Sequence, residues 1–298
     1  MLLAEFLRKA ESALGSLYPE PEARNILTML CSDVLGIRSY THLIEPQYQI
    51  DPVRLPLLEA SLERLRSGEP IQYVLGKAEF CGRTFRVGPP VLIPRPETEI
   101  LCEKAISLLR RIDSPSVLDL CTGSGNIAWT LALSLRHART VAVDLSEAAL
   151  EIASSQPFEE ALASGEHVRP AFVRYDVLQD PPALWGPFDA VLSNPPYVLE
   201  SEKAAMRPNV LEYEPASALF VPDEDPLLFY RAVASWALRL LAPGGWLMVE
   251  INESTALTVK DLFASLGFCN VLIIKDFYEK DRFVSCQKYT PVGVGPSA

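Results

Sequence analysis

No apolar run in this 298-residue chain approaches the ~20 residues that a membrane-spanning helix needs. The opening, MLLAEFLRKAESAL, is interrupted by Glu5, Arg8, Lys9 and Glu11, unlike the apolar centre of a secretory leader, so a cytosolic protein is expected. Histidine is scarce, with only His42, His137 and His167, and the six cysteines (Cys31, Cys81, Cys102, Cys121, Cys269 and Cys286) lie far apart with no C-x-x-C pair. That scatter argues against a zinc site and a disulfide framework and points to buried, reduced thiols. Positive charge is also short: 27 Lys and Arg stand against 38 Asp and Glu, a net charge of −11, which speaks against a broad phosphate-binding surface. What is there is a globular composition, 49% hydrophobic and 22% charged. The length suits about two domains.

Up to about residue 70 the apolar residues recur at helical spacing. Leu3, Phe6, Leu7, Ala10 and Leu14 form one stripe; Ile26, Leu27, Leu30, Cys31, Val34 and Leu35 form a second; Leu58, Leu62 and Leu65 form a third. These predict a small helical bundle, residues 1–70, packed through its apolar faces. Residues 71–93 are β-rich and broken by Gly76, Gly82 and Gly88, which predicts a hairpin-like linker. From residue 94 to 298 helical and strand patterns alternate, giving an α/β domain with a doubly wound, mainly parallel sheet. Its last two strands are too close together for a crossover helix and should pair antiparallel.

Two stretches carry chemistry. The first is DLCTGSGNIA, Asp119 to Ala128, which follows a strand and opens a helix. Gly123 and Gly125 supply a glycine turn, and Asp144 ends the next strand nineteen residues after Gly125, where its carboxylate can accept from both hydroxyls of a ribose. A nucleoside cofactor follows. Asp119 would repel a pyrophosphate and attract an α-ammonium group, which favours S-adenosylmethionine over NAD or a turn without ligand. Asp176, after the strand AFVRY, is a candidate for the adenine amino group, with a solvated loop Asp as the alternative.

The second stretch is SNPPYV, Ser193 to Val198, which ends an apolar strand. Two prolines stop a strand because neither has an N–H for the ladder. They do not explain the flanking Asn194 and Tyr197. An amide or adenine nitrogen is a poor nucleophile because its lone pair is delocalised. The Asn194 side-chain oxygen and the Pro195 carbonyl can each accept one of its N–H bonds, localising the lone pair and aiming it at a sulfonium. Pro195 and Pro196 hold that carbonyl rigid, and Tyr197 can stack on a planar acceptor.

Together with IPRPETE (Ile93 to Glu99), EPASAL (Glu214 to Leu219) and the helical N-terminal part, these motifs resemble the HemK/PrmC family of protein-(glutamine-N5) methyltransferases over most of the chain. The resemblance implies a Rossmann-like class I AdoMet-dependent methyltransferase domain. It implies a loop Asp119, Cys121, Thr122, Gly123, Ser124 and Gly125 holding S-adenosyl-L-methionine, with Asp144, Asp176, Val177, Asn194 and Arg95 completing the cofactor site. It also implies methylation of the glutamine in the Gly-Gly-Gln motif of class I peptide-chain release factors, gripped by the helical domain, with S-adenosyl-L-homocysteine as product. A monomer is expected, without direct contact to nucleic acid or membrane. Arg95 is expected at the pocket mouth, with pairing to Glu97 or Glu99 as the alternative. Cys121 replaces the usual first glycine of the loop and needs a compatible φ. Asn252 and Glu279 replace glycines further on, and Val177 stands where some relatives carry an aromatic, so adenine packing is expected to be aliphatic. Rival readings are an adenine-N6 methyltransferase, which would want a basic groove, and a non-catalytic AdoMet-binding module.

Overall fold

A computed structural model describes residues 1–290, and the chain divides into two compact units. One is Met1–Lys77 together with the segment Arg207–Tyr213; the other is Ala78–Met206 with the chain from Glu214 onward.

The smaller unit is helical: α1 (Leu3–Leu14), α2 (Glu20–Leu35), α3 (Thr41–Ile44), α4 (Leu55–Arg66) and α5 (Ile71–Leu75). The stripes read from the sequence are the buried faces. Leu3, Phe6, Ala10 and Leu14 of α1 meet Ala23, Ile26, Leu27, Leu30 and Cys31 of α2 and Leu58, Leu62 and Leu65 of α4 in one core. Each Leu, Ile or Phe side chain among them withdrawn from water contributes about 1.5–3 kcal/mol. Within this unit the returning segment is tied down by Arg207 to Glu22 at 2.7 Å and by the Tyr213 hydroxyl donating to the Ser67 carbonyl at 2.8 Å. Residues 71–75, expected as the start of a hairpin, instead form a helical turn. Pro70 precedes it with φ −58° and Gly76 ends it at φ +70°, the chemistry of a helix start and a left-handed stop.

The hairpin itself is β1 (Lys77–Phe80) and β2 (Arg83–Arg86). The larger unit then continues through α6 (Pro96–Leu109), β3 (Ser116–Leu120), α7 (Asn126–Ser134), β4 (Arg139–Asp144), α8 (Glu147–Ser154), α9 (Glu159–Leu162), β5 (Ala171–Arg174), β6 (Phe188–Ser193) and β7 (Val198–Leu199). After α10 (Pro208–Tyr213), which lies in the helical unit, come α11 (Ala216–Leu219), β8 (Phe220–Val221), α12 (Leu228–Leu240), β9 (Leu241–Glu250), α13 (Ala256–Ser265), β10 (Phe268–Lys275) and β11 (Asp281–Lys288). Seven strands make one sheet in the order β10-β11-β9-β6-β3-β4-β5. All neighbours are parallel except β11 with β9 and β10 with β11, so the late pair is antiparallel as its short connection demands.

Residues of a strand alternate between two cores. Leu118, Leu120, Val191, Leu247 and Val249 face one with α12 and α13, whereas Val117, Ala190, Leu192 and Met248 face the other with α6 and α7. The central strand β3 is buried throughout, with Val117, Leu118 and Leu120 apolar and Ser116 and Asp119 buried polar among them. Register brings the strand ends level: Leu120 pairs with Val143 of β4 and Ser193 of β6. Cys121, Asp144 and Asn194 therefore leave the sheet together, at the carboxyl edge where the strand order reverses. Among the described residues no helix is long and apolar enough to cross a membrane, and no group of three or more His, Cys, Asp or Glu side chains could hold a metal ion.

Candidate active site

The loop leaving β3 is shaped by Asp119. This side chain is fully buried, and its Oδ2 accepts from the Thr122 hydroxyl at 2.5 Å and the Ala128 N–H at 3.2 Å. Its Oδ1 has no partner, and burial lifts the carboxyl from 3.8 to about 7. Asp119 thus lies beneath the loop and off the cavity wall, as do Thr122, Ser124 and Gly125. Gly125 is required twice over. Its φ is +78°, and a Cβ there would lie 3.0 Å from the Ala153 Cβ. Cys121 does take a left-handed backbone, φ +61°, without being glycine, as does Glu279 at +62°.

Above the loop is a cavity of about 410 Å³ walled by residues of the larger unit alone. Cys121, Gly123, Asp144, Asp176, Val177 and Asn194 line it as the sequence suggested. Both carboxylates are pre-set by backbone donors. Asp144 accepts from Gly123 N–H at 2.8 Å and Ser146 N–H at 2.9 Å, and Asp176 from Leu178 N–H at 2.9 Å. Desolvation raises the Asp144 pKa despite these bonds. Among the described residues neither lysine nor arginine lines the cavity, and the charged groups that do, Asp144 and Asp176, are acidic. The wall around Val177 also includes the aromatic Tyr175 and Phe229, so it is mixed where an aliphatic surface was expected.

Asn194 and Pro196 reach the same wall; Pro195 and Tyr197 do not. Tyr197 is anchored behind it, its N–H donating to Leu219 O at 3.2 Å and its hydroxyl to Glu250 Oε1 at 2.9 Å. Burial and the Glu250 charge push this phenol well above the usual tyrosine range. Asn252 works here too: its Nδ2 donates to Glu202 at 3.0 Å and to the Tyr197 carbonyl at 3.4 Å, while its Oδ1 accepts from Ser254. Arg95 pairs with neither Glu97 nor Glu99. It donates to Glu214 Oε1 at 2.7 Å, and Glu214 Oε2 accepts from the Ile93 N–H at 3.1 Å. Arg95 is therefore not on the cavity wall, and the pair instead joins IPRPETE to EPASAL, whose Ser217 and Ala218 do line it.

Comparison with known proteins accounts for both units. Residues 5–76 match the PrmC N-terminal domain family and residues 117–209 a methyltransferase domain family. The chain is 40% identical over 276 residues to a release factor glutamine methyltransferase of Bacteroides thetaiotaomicron, covering 93% of this chain and 96% of that protein. The chain belongs to the release factor glutamine methyltransferase family. Another member, from Flavobacterium psychrophilum, is 36% identical over 287 residues, 95% of this chain and 98% of its own. A solved protein-(glutamine-N5) methyltransferase, release factor-specific, from Alicyclobacillus acidocaldarius is 31% identical, covers 69% of this chain and 99% of its own, and superposes with a TM-score of 0.41.

In this member of the family several site residues escaped the sequence reading. Leu145 and Ser146 adjoin Asp144 and could have been found by proximity. Pro90, Val91 and Leu92 come from the linker, and Phe229 from the first turn of α12, far from any motif. Thr98 sits inside IPRPETE with nothing in its spacing to mark it.

Proposed function

We propose that this protein transfers the methyl group of S-adenosylmethionine to the side-chain amide nitrogen of the glutamine in the Gly-Gly-Gln motif of class I release factors. The observation that carries the reading is the cavity whose charged groups are carboxylates alone, opening onto the Asn194 amide. An acidic, largely apolar pocket suits a cationic nucleoside and disfavours a pyrophosphate. The residues present fit this cofactor. Asp144 has spent two acceptor sites on backbone N–H groups and keeps others for ribose hydroxyls; Asp176 offers an acceptor for the adenine amino group; Val177, Leu145 and Phe229 supply apolar surface. When bound, it supplies an electrophilic methyl on sulfur.

The chain's own residues prepare the acceptor. The Asn194 Oδ1 and Pro195 carbonyl accept the two N–H bonds of the glutamine amide, which draws its nitrogen lone pair out of conjugation and points it into the cavity. Pro195 and Pro196 fix the carbonyl. Tyr197, tethered at both ends behind the wall, holds the Asn194-Pro195-Pro196 turn in place. The helical unit, whose buried side chains form its own core and contribute nothing to the cavity wall, is the recognition module for the protein substrate.

Purified protein, tritiated S-adenosylmethionine and a class I release factor test this directly, with a release factor whose target glutamine is replaced as control. Label in the intact factor and none in the control is expected. Asn194→Ala should lower turnover by ~10²–10³-fold with cofactor affinity nearly unchanged. Asp144→Ala should weaken cofactor binding by roughly tenfold or more. Normal turnover in the first variant, or normal affinity in the second, contradicts its assigned role.

A further inference from the structure

Behind Asn194 lies a chain of side chains that no motif reading assigned. Glu250, at the end of β9 and 1% exposed, accepts from the Thr98 hydroxyl at 2.6 Å through Oε2 and from the Tyr197 hydroxyl at 2.9 Å through Oε1. Thr98, on the first turn of α6 and equally buried, is 3.3 Å from Asn194 Nδ2. The direction of each bond follows from the chemistry of the groups. An ionised carboxylate only accepts, so the single hydroxyl proton of Thr98 is committed to Glu250. Toward Asn194 the Thr98 oxygen can then only accept. It holds the NH₂ end of the amide, and turning the amide over would set two acceptors against each other.

We infer that Thr98 and Glu250 are positioning residues that fix which end of the Asn194 amide faces the methyl acceptor, so that the site presents an acceptor oxygen to an N–H-bearing nucleophile. This rests on the amide-methylation reading above and adds to it the origin of the site's polarity. Without Thr98, Asn194 is free to present its NH₂ group, which meets the N–H bonds of a glutamine amide donor to donor. Glu250 acts one step further back, keeping the Thr98 proton turned away from Asn194. Burial holds the Glu250 pKa above the usual range, opposed by the Thr98 and Tyr197 hydroxyls and by Arg282 and reinforced by Glu97. The relay thus works with the carboxylate ionised and weakens once it takes up a proton.

The test is a double-mutant cycle on the full chain, with release factor as substrate and cofactor affinity measured by calorimetry. Thr98→Val removes the hydroxyl at nearly constant volume and should lower kcat by ~10–100-fold while leaving cofactor Kd and the KM for release factor within about threefold. Thr98→Ser should restore kcat to within a few-fold of wild type. In an Asn194→Ala background, Thr98→Val should cost less than about twofold, because there is no amide left to orient. Losses that multiply in the double variant, or a Thr98→Val protein with wild-type kcat, overturn the inference. If Thr98→Val does not fold, Thr98→Ala gives the same comparison without the branched side chain. A wild-type protein that transfers nothing to the release factor overturns the reaction itself and takes this inference with it, whereas an active wild type with a multiplicative cycle overturns the inference alone.

Discussion

Asp119 is buried with one carboxylate oxygen unpartnered, and its pKa rises from 3.8 to about 7, a difference of about 4 kcal/mol between its protonation states. The folded protein binds this proton more tightly than the unfolded chain. The contribution to stability is therefore complete below about pH 4, declines as pH rises, and is lost above about pH 7. Between pH 5 and pH 8 Asp119 should account for about 2–3 kcal/mol of lost stability in the cofactor-free protein. Urea unfolding of wild type and Asp119→Asn at those two pH values checks it: the variant should lose less by that amount, and parallel losses would refute the assignment. Glu250 and Asp144 are shifted in the same direction and add to the slope in both proteins, so only the difference between them reports on Asp119. Cys121 is the other residue whose state the sequence left open. It stands where glycine is usual, and its left-handed backbone shows why glycine would be the less strained choice.

The strand-loop-helix element from β3 to α7 depends on its two glycines in different ways. Both have positive φ, but a Cβ on Gly123 meets nothing within 4 Å, whereas one on Gly125 is crowded by Ala153, Phe172 and Trp129. Gly125→Ala should destabilise by about 1–3 kcal/mol more than Gly123→Ala, since it adds a steric clash to the shared backbone strain. Thermal melts of the two variants decide this, and equal shifts would show that strain alone matters. Elements such as these were legible because their determinants are local. SVLDL is a short strand carrying the apolar Val117, Leu118 and Leu120 between Pro115 and the glycine turn, and the α1, α2 and α4 stripes repeat within one helix. What escaped is long-range. Glu214 lies 119 positions from its partner Arg95, and Glu250 lies 152 positions from Thr98, so no spacing rule could join them. The nearer carboxylates, Glu97 and Glu99, were the natural guesses for Arg95, yet Glu99 accepts from the Cys81 N–H instead. The helical turn at 71–75 was hidden for the opposite reason, since five residues are too few to show a period.

Taken whole, the molecule keeps its cavity in the larger unit while its chain visits the smaller one twice. Deleting residues 1–77 should leave cofactor affinity within a few-fold of wild type, and it should slow release factor methylation sharply. It should also expose the 207–213 segment, because Arg207 and Tyr213 lose Glu22 and Ser67. Calorimetry, the methylation assay and limited chymotrypsin digestion with cleavage after Tyr213 read these three effects. A truncated chain that modifies release factor at the wild-type kcat/KM would remove the recognition role from the helical unit. The strap at 207–213 also sets a timetable for synthesis. Residues 1–77 leave the ribosome first, yet the segment that completes their unit is translated about 130 residues later, on the order of 10 s at ordinary elongation rates. For that interval the nascent helical bundle is unfinished, with Glu22 and the Ser67 carbonyl still facing solvent, and it closes only after β3 to β6 of the sheet have emerged.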